Sequence, residues 1–265
     1  MRILLLANNW VGWRVASSLT ERGEEIVGLV THPYGKRKYG DEIINAAKVD
    51  PACIWEGDQL RRPEIIQSIL QKKSDIGISV LFGYILRQDL FNSCPAGCIN
   101  IHPALLPYNR GAFPNVWSIV EGTPAGVTIH YIDEGVDTGD IISQQEVEVE
   151  PTDTGATLYR KLEETAVALF ERTWPLIRSG RAPRIVQPKK NGTCHRVRDV
   201  QSIDEIDVNR TYKGKELIDI IRARTFPPHP GAYIRLSDRK VYLRLQLEEA
   251  TEPAAKSAND DPLCN

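Results

Sequence analysis

No run of about eighteen apolar residues occurs in the 265-residue sequence, which excludes a membrane-spanning helix. Glycine-rich nucleotide loops are missing too. Where a G-x-G-x-x-G would follow the first apolar run, Asn8-Asn9-Trp10-Val11-Gly12 stands instead, so NAD binding is not expected; no P-loop and no serine nucleophile elbow occur. Cysteine is scarce and odd in number, five in a chain too long to need disulfide staples, and reduced thiols of a cytoplasmic protein are the expectation. The spacing Cys94-x3-Cys98-x3-His102 suggests a metal at first sight. Pro95 and Gly97 break any helix that would align these side chains, and no fourth ligand is near in sequence, so no metal site is expected. The apolar run Ile3–Ala7 is interrupted by Asn8-Asn9 and has no small-residue cleavage site, so a signal peptide is not expected either.

Excess charge is lacking overall: 33 Lys+Arg against 35 Asp+Glu leave a net −2, which argues against a protein that binds nucleic acid over its whole surface. That sum hides opposing parts. Residues 1–180 carry a net −6 and residues 181–250 a net +6, so a phosphate-bearing partner of the basic region stays open beside the plainer reading of a solvated Lys/Arg face.

What is present alternates. Ile3–Ala7, Glu25–Val30, Ile76–Leu81 and Gly97–Ile101 read as buried strands. Trp10–Arg22, Glu42–Val49 and Pro63–Lys73 read as helices between them. The pattern predicts an α/β fold with a doubly wound, mostly parallel sheet, whose ligand cleft lies at the strand ends after Ala7, Leu81 and Ile101. Ala125–Ile132 and Asp140–Val149 follow as strands, then a long helix, Thr154–Ile177, with Leu158, Leu162, Ala166, Leu169, Phe170, Trp174 and Ile177 on one stripe. A linker around Pro183–Pro188 leads to a small α+β region: a helix near Lys213–Arg224, then a hairpin of Ala232–Leu236 with Lys240–Leu247. The expected division is 1–180, 181–250 and a disordered tail 251–265, which is rich in Ala, Ser, Asp and Pro.

Asn100 and His102 lie two apart at a predicted strand end, so period-two geometry puts both on one face. An amide donor beside an imidazole can polarise a carbonyl and move a proton, which is the equipment of acyl transfer; a hydrogen-bonded histidine at a strand end is the plainer alternative. His130, Asp133 and Asp137, with Gly135 and Gly139, form a second cluster that reads either as a hairpin turn or as an acidic partner for His102. An acid beside His102 is expected to raise its pKa and favour the imidazolium.

Together, Asn100-Ile101-His102-Pro103-Ala104-Leu105-Leu106-Pro107, Gly126-Val127-Thr128-Ile129-His130 and Asp133-Glu134-Gly135-Val136-Asp137-Thr138-Gly139-Asp140 strongly resemble the folate-dependent formyltransferase family. The resemblance covers roughly residues 1–180. It implies a Rossmann-like sheet, N10-formyltetrahydrofolate as formyl donor with no metal, and Asn100, His102 and Asp137 as the catalytic three. It also implies a donor-binding loop at Phe82, Gly83, Tyr84, Ile85 and Leu86, joined by Asp133 and Gly135. Gly83 suits that loop because close backbone approach leaves no room for a side chain.

The resemblance leaves the acceptor open. Asn8, Asn9 and Trp10, and Tyr108, Asn109 and Arg110 followed by Gly111 and the Pro114–Trp117 segment, look like the members that formylate nucleotide-linked amino sugars. They are the expected substrate contacts, with Arg110 or Lys36-Arg37-Lys38 facing a pyrophosphate. Methionyl-tRNA formyltransferase is the alternative favoured by the basic region 181–250, although about 70 residues are short for that enzyme's C-terminal domain. A peptide-tailoring formyltransferase and a catalytically silent scaffold are further readings. The expectation is an amino-sugar enzyme with no nucleic-acid or membrane partner, paired as a homodimer through an apolar face of the C-terminal hairpin.

Overall fold

The continuous apolar run near the N-terminus is strand β1 (Arg2–Ala7) in a computed structural model that describes residues 1–188 and 192–250. The tail 251–265, expected to be disordered, lies outside the described residues. Helix α1 (Asn9–Glu21), β2 (Glu25–Thr31), α2 (Gly40–Ala47), β3 (Ile54–Glu56), α3 (Pro63–Leu70), β4 (Ile76–Val80), α4 (Gln88–Phe91) and β5 (Cys98–His102) continue the alternation. A two-residue strand β6 (Arg110–Gly111) and helix α5 (Pro114–Glu121) lead into the hairpin of β7 (Ala125–Tyr131) and β8 (Ile141–Val147), which the long helix α6 (Gly155–Arg178) follows. The C-terminal region holds β9 (Cys194–His195), α7 (Gln201–Asp204), β10 (Glu205–Ile206), α8 (Gly214–Ala223), β11 (Tyr233–Leu236) and β12 (Arg239–Tyr242).

Seven strands form one sheet in the order β3-β2-β1-β4-β5-β7-β8. The first five are parallel, and the direction reverses between β5 and β7. Alternation along β1 sorts its side chains onto two cores. Ile3, Leu5 and Ala7 join Val15, Leu162, Phe170 and Trp174 on one face; Leu4 and Leu6 join Trp55, Ile66, Phe82 and Leu90 on the other. Each of the Leu, Ile, Val and Phe side chains among them contributes about 1.5–3 kcal/mol by leaving water, which is why an unbroken apolar run is tolerated only at the sheet centre. Helix α6 covers the first face with the expected stripe, all seven residues buried. It is capped by Thr154, whose hydroxyl accepts the Thr157 N–H while the Thr157 hydroxyl accepts the Thr154 N–H. Among the described residues no helix is long and apolar enough to cross a membrane.

Strand β3 and helix α5 were not expected from the sequence. The C-terminal hairpin also ends sooner than its alternation predicts. After Tyr242 the Leu243 N–H donates to the Ala232 carbonyl and the Leu245 N–H to Thr225 Oγ1, while Leu243 packs on Ile206, Ile220 and Ala232. Of the alternating apolar positions, Leu243 is thereby covered, while Val241 and Tyr242 stay exposed. The expected helix near Lys213–Arg224 is α8, and the small sheet runs β10-β11-β12. Helix α8 meets the start of α6 closely: a Cβ at Gly155 would lie 2.1 Å from the Ala223 carbonyl oxygen. Buried Arg222 ties the same junction by donating to the Asp219 carboxylate and to the carbonyls of Glu150 and Asp153.

Candidate active site

Strand β5 divides its side chains between the two faces. Ile99 and Ile101 enter the core under α6; Cys98 packs on the opposite face, and by alternation Asn100 and His102 share that face. The antiparallel register with β7 sets His130 opposite Asn100 and Thr128 opposite His102, which brings His130 to the same face. Thr128 fixes the chain beyond β5: its hydroxyl donates to the Ala104 carbonyl and accepts the Leu106 N–H. Gln144 adds hydrogen bonds to Thr128 and to the Leu106 carbonyl.

The loop between β7 and β8 folds back over this face and delivers Asp137. Its Oδ1 lies 3.3 Å from Asn100 Nδ2 and 3.4 Å from His130 Nε2. Its Oδ2 accepts the Gly111 N–H at 2.9 Å and lies 3.7 Å from His102 Nδ1. The expected three residues are therefore together, with His130, which the sequence clusters with Asp137 without a catalytic role, as a fourth. Asp137 holds φ at +53°, a left-handed conformation that costs an L residue about 1–2 kcal/mol and is least unfavourable for Asp and Asn.

The outer nitrogens of both rings face carbonyls: His102 Nε2 lies 3.1 Å from the Asn109 carbonyl oxygen and His130 Nδ1 2.8 Å from that of Tyr131. A carbonyl only accepts, so these nitrogens carry the hydrogens in the neutral rings. The nitrogens turned toward Asp137 are then bare, and a proton taken up by His102 lands against the carboxylate. Burial pushes the His102 pKa below the ordinary histidine value, outweighing the attraction of Asp137. The expectation of a raised His102 pKa is thus corrected: the acidic partner is there, but the site is too dry for it to prevail. For Asp137, burial acts to raise the pKa, yet His102, His130 and the Gly111 N–H together hold the carboxyl well below the usual range.

The expected donor loop follows β4 on the same face. Phe82 and Leu86 are buried in the second core, Tyr84 is half-buried and Ile85 is 88% exposed. Gly83 has φ +72°, and the His32 ring hydrogen-bonds the Phe82 carbonyl and meets the Phe82 and Tyr84 rings edge-on. His32 was not anticipated, because a histidine in a polar loop carries no periodic signal. Asp133 and Gly135 are exposed; Asp133 accepts from the Gly135 N–H and the Thr138 hydroxyl within its own loop. Glu134 accepts from Gln88, joining this loop to α4.

The expected acceptor contacts divide. Asn8 accepts the Lys38 N–H, and Trp10 is half-buried with the Arg14 guanidinium 5.8 Å from its ring. Asn9 is buried and donates to Tyr159 and Glu163, and burial raises the pKa of both partners. Tyr108 is half-buried, and Arg110 spends its guanidinium on Gln187. Asn109 is fully buried, with its amide bonded to Ser118, Thr123 and Thr193. In this conformation it supports the turn and presents nothing to a substrate. Cys94 and Cys98 are buried with sulfurs 3.9 Å apart, and among the described residues no cluster of His, Cys, Asp or Glu is arranged to hold a metal.

The chain is similar in sequence and fold to known proteins. Residues 8–173 match the family described as Formyl transferase, and residues 199–249 match the N-formyltransferase dimerization C-terminal domain. The methionyl-tRNA formyltransferase of Bacillus subtilis is 33% identical over 235 residues, covering 86% of this chain and 72% of that one. A 4-N formyltransferase from Francisella tularensis superposes with a TM-score of 0.80 at 31% identity, covering 94% of this chain and 98% of that chain. The formyltransferase PseJ from Anoxybacillus kamchatkensis, solved with UDP-4,6-dideoxy-4-formamido-L-AltNAc and tetrahydrofolate, is 34% identical with a TM-score of 0.56, covering 76% and 89% of the two chains. The chain belongs to the formyl transferase family and is an N-formyltransferase.

Proposed function

We propose that the protein transfers the formyl group of N10-formyltetrahydrofolate to the amine of a nucleotide-linked amino sugar. The observation that carries the acceptor is the C-terminal region. It matches the N-formyltransferase dimerization domain, and 94% of this chain aligns with 98% of the 4-N formyltransferase, whereas the alignment with the Bacillus subtilis tRNA enzyme covers 72% of that enzyme. PseJ, with its bound nucleotide sugar and tetrahydrofolate, supports both substrates. The donor fits the loop 82–86, where Gly83 opens the backbone on the face that carries Asn100 and His102.

In this reading the uncharged amine attacks the formyl carbon, forming a C–N bond and a tetrahedral oxyanion. Asn100 is the accessible donor to that oxygen, because both of its present hydrogen bonds are long, at 3.3 Å. His102, neutral through burial, can take the proton shed by the attacking nitrogen, and Asp137 stabilises the imidazolium so formed. Returning that proton to N10 of the folate as its bond to the formyl carbon breaks completes the transfer. Water must be kept out, since hydrolysis of the formyl group competes. The same reading assigns residues 1–180 to catalysis and pairs two chains through the C-terminal region, where Leu236, Val241 and Tyr242 are exposed.

The test is incubation with N10-formyltetrahydrofolate and a panel of UDP- and dTDP-linked 3-amino and 4-amino sugars plus methionyl-tRNA, with products followed by mass. Formylated nucleotide sugar is the expected product. A second reading, methionyl-tRNA formyltransferase, is favoured by the 33% identity and the basic region 181–250. Formyl-methionyl-tRNA as the sole product would overturn the first.

A further inference from the structure

The segment after α6, which the sequence presents as a plain linker, runs back across the active site. Ile185 bridges Ile141 at the start of β8. Thr193 accepts the Asn109 N–H with its hydroxyl and the Arg110 N–H with its carbonyl, and β9 pairs with β6. Between these contacts sits Gln187, 6% exposed. Its amide nitrogen donates to the carbonyls of Asp137, at 2.9 Å, and Gly139, at 2.7 Å. Its amide oxygen accepts from Arg110 Nη2 at 2.7 Å and Nε at 3.3 Å.

Two things make this contact more than packing. Asp137 sits in the left-handed region, so its backbone needs an external hold to keep the carboxylate between His102 and His130. Among the described residues, the side-chain hydrogen bonds reaching the backbone of 137–139 from outside the loop are the two from Gln187. Through Arg110 the same amide is coupled to Gly111, whose N–H binds the other end of Asp137. One side chain thus fixes both the peptide that carries the acid and the peptide that holds it.

We propose that Gln187 is a positioning residue of the formyl-transfer site, acting through Asp137. The proposal rests on the assignment of Asn100, His102 and Asp137 as the catalytic three.

The test compares Gln187→Ala, Gln187→Glu, Asp137→Asn and the two double variants in the full-length protein. One readout is formyl transfer to the best acceptor of the panel above; the other is the histidine titration followed by NMR, with His102 assigned through His102→Gln. Gln187→Glu keeps the acceptor for Arg110 but removes both N–H donors. Both Gln187 variants should lower kcat at least tenfold with KM values changed less than threefold. They should also move the His102 titration to lower pH, in the direction of Asp137→Asn. In the Asp137→Asn background neither should have a further effect on either readout. A wild-type kcat for Gln187→Glu, or an undiminished effect of Gln187→Ala on top of Asp137→Asn, would overturn the proposal. An unaltered His102 titration in both Gln187 variants would overturn it even if no panel acceptor is turned over. If Asp137→Asn alone leaves kcat unchanged, the catalytic assignment fails instead, and the titration still decides whether Gln187 positions Asp137.

Discussion

Gly111 donates its backbone N–H to Asp137 Oδ2 at 2.9 Å, and it can do so only as glycine. Its φ is +87°, and a Cβ there would lie 2.3 Å from the carbonyl oxygen of His195 on the neighbouring strand. Gly111→Ala should therefore separate β6 from β9 and withdraw the donor from Asp137. The expected cost is on the order of 1–3 kcal/mol in a urea titration, together with a fall in kcat. Unchanged stability and turnover would show that the two strands can part without disturbing the site.

His102→Gln, Asn100→Ala and Asp137→Asn are each expected to lower kcat by about two to four orders of magnitude, because in the proposed mechanism each removes a proton-transfer or oxyanion contact. KM for donor and acceptor should move far less. The three losses should not multiply in combination, since Asp137 works on His102. Steady-state kinetics of single and double variants checks this; full multiplication would mean that the three act separately.

Acid should damage the protein in two stages. Burial depresses the His102 pKa, so between its folded value and about 6.5 the unfolded chain binds more protons and stability falls as pH falls. Asp137 is depressed as well, so its contribution is present above about 3.9 and is lost as pH falls through its still lower folded value. The acid limb of kcat/KM should lie below the ordinary histidine range and move lower still in Asp137→Asn. His102→Gln should flatten the stability profile between pH 5 and 7, as read from denaturation midpoints. A stability maximum on the acid side of pH 6 would mean that the His102 pKa is not depressed by folding.

These outcomes depend on features of unequal legibility in the sequence. Strands β1, β4 and β5 and helix α6 are readable because an unbroken apolar run or a stripe of about five turns, from Leu158 to Ile177, has few other ways to be buried. Asn100 and His102 are readable as a pair because strand alternation is a two-residue rule. Strand β3 is too short for any period, and α5 starts after Phe113 in a left-handed conformation with no side-chain cap. Gln187 has no local signal at all: its meaning lies in a fold-back that joins residues fifty positions apart. The His102 pKa shows the same limit, for the charged neighbour was legible and the burial was not.

In the proposed donor loop, Gly83→Ala places a side chain at φ +72°, where only glycine is at ease. No atom crowds the new Cβ below 3.9 Å, so the strain should be met by a shift of the loop rather than by unfolding. The KM for N10-formyltetrahydrofolate should rise about tenfold, a change worth about 1.4 kcal/mol, with the melting temperature nearly constant. A donor KM equal to wild type would place the folate elsewhere.

Thr154→Ala offers a control remote from the chemistry. Loss of the reciprocal cap on α6 should cost about 0.5–2 kcal/mol in denaturant unfolding, with wild-type kcat and KM. A catalytic defect in this variant would mean that the helix start communicates with the substrate side through Tyr159 and Asn9.

Strand β5 carries the polar residues of the proposed site and core on alternate residues, with Asn100 and His102 facing one way and Ile99 and Ile101 the other. Its tolerance of change is consequently digital. A substitution alters one face, but a single inserted or deleted residue would exchange the two, sending isoleucines to the substrate and polar side chains under α6. Length variation is therefore barred from this strand, and any broadening of acceptor range has to arise where the chain has left the sheet.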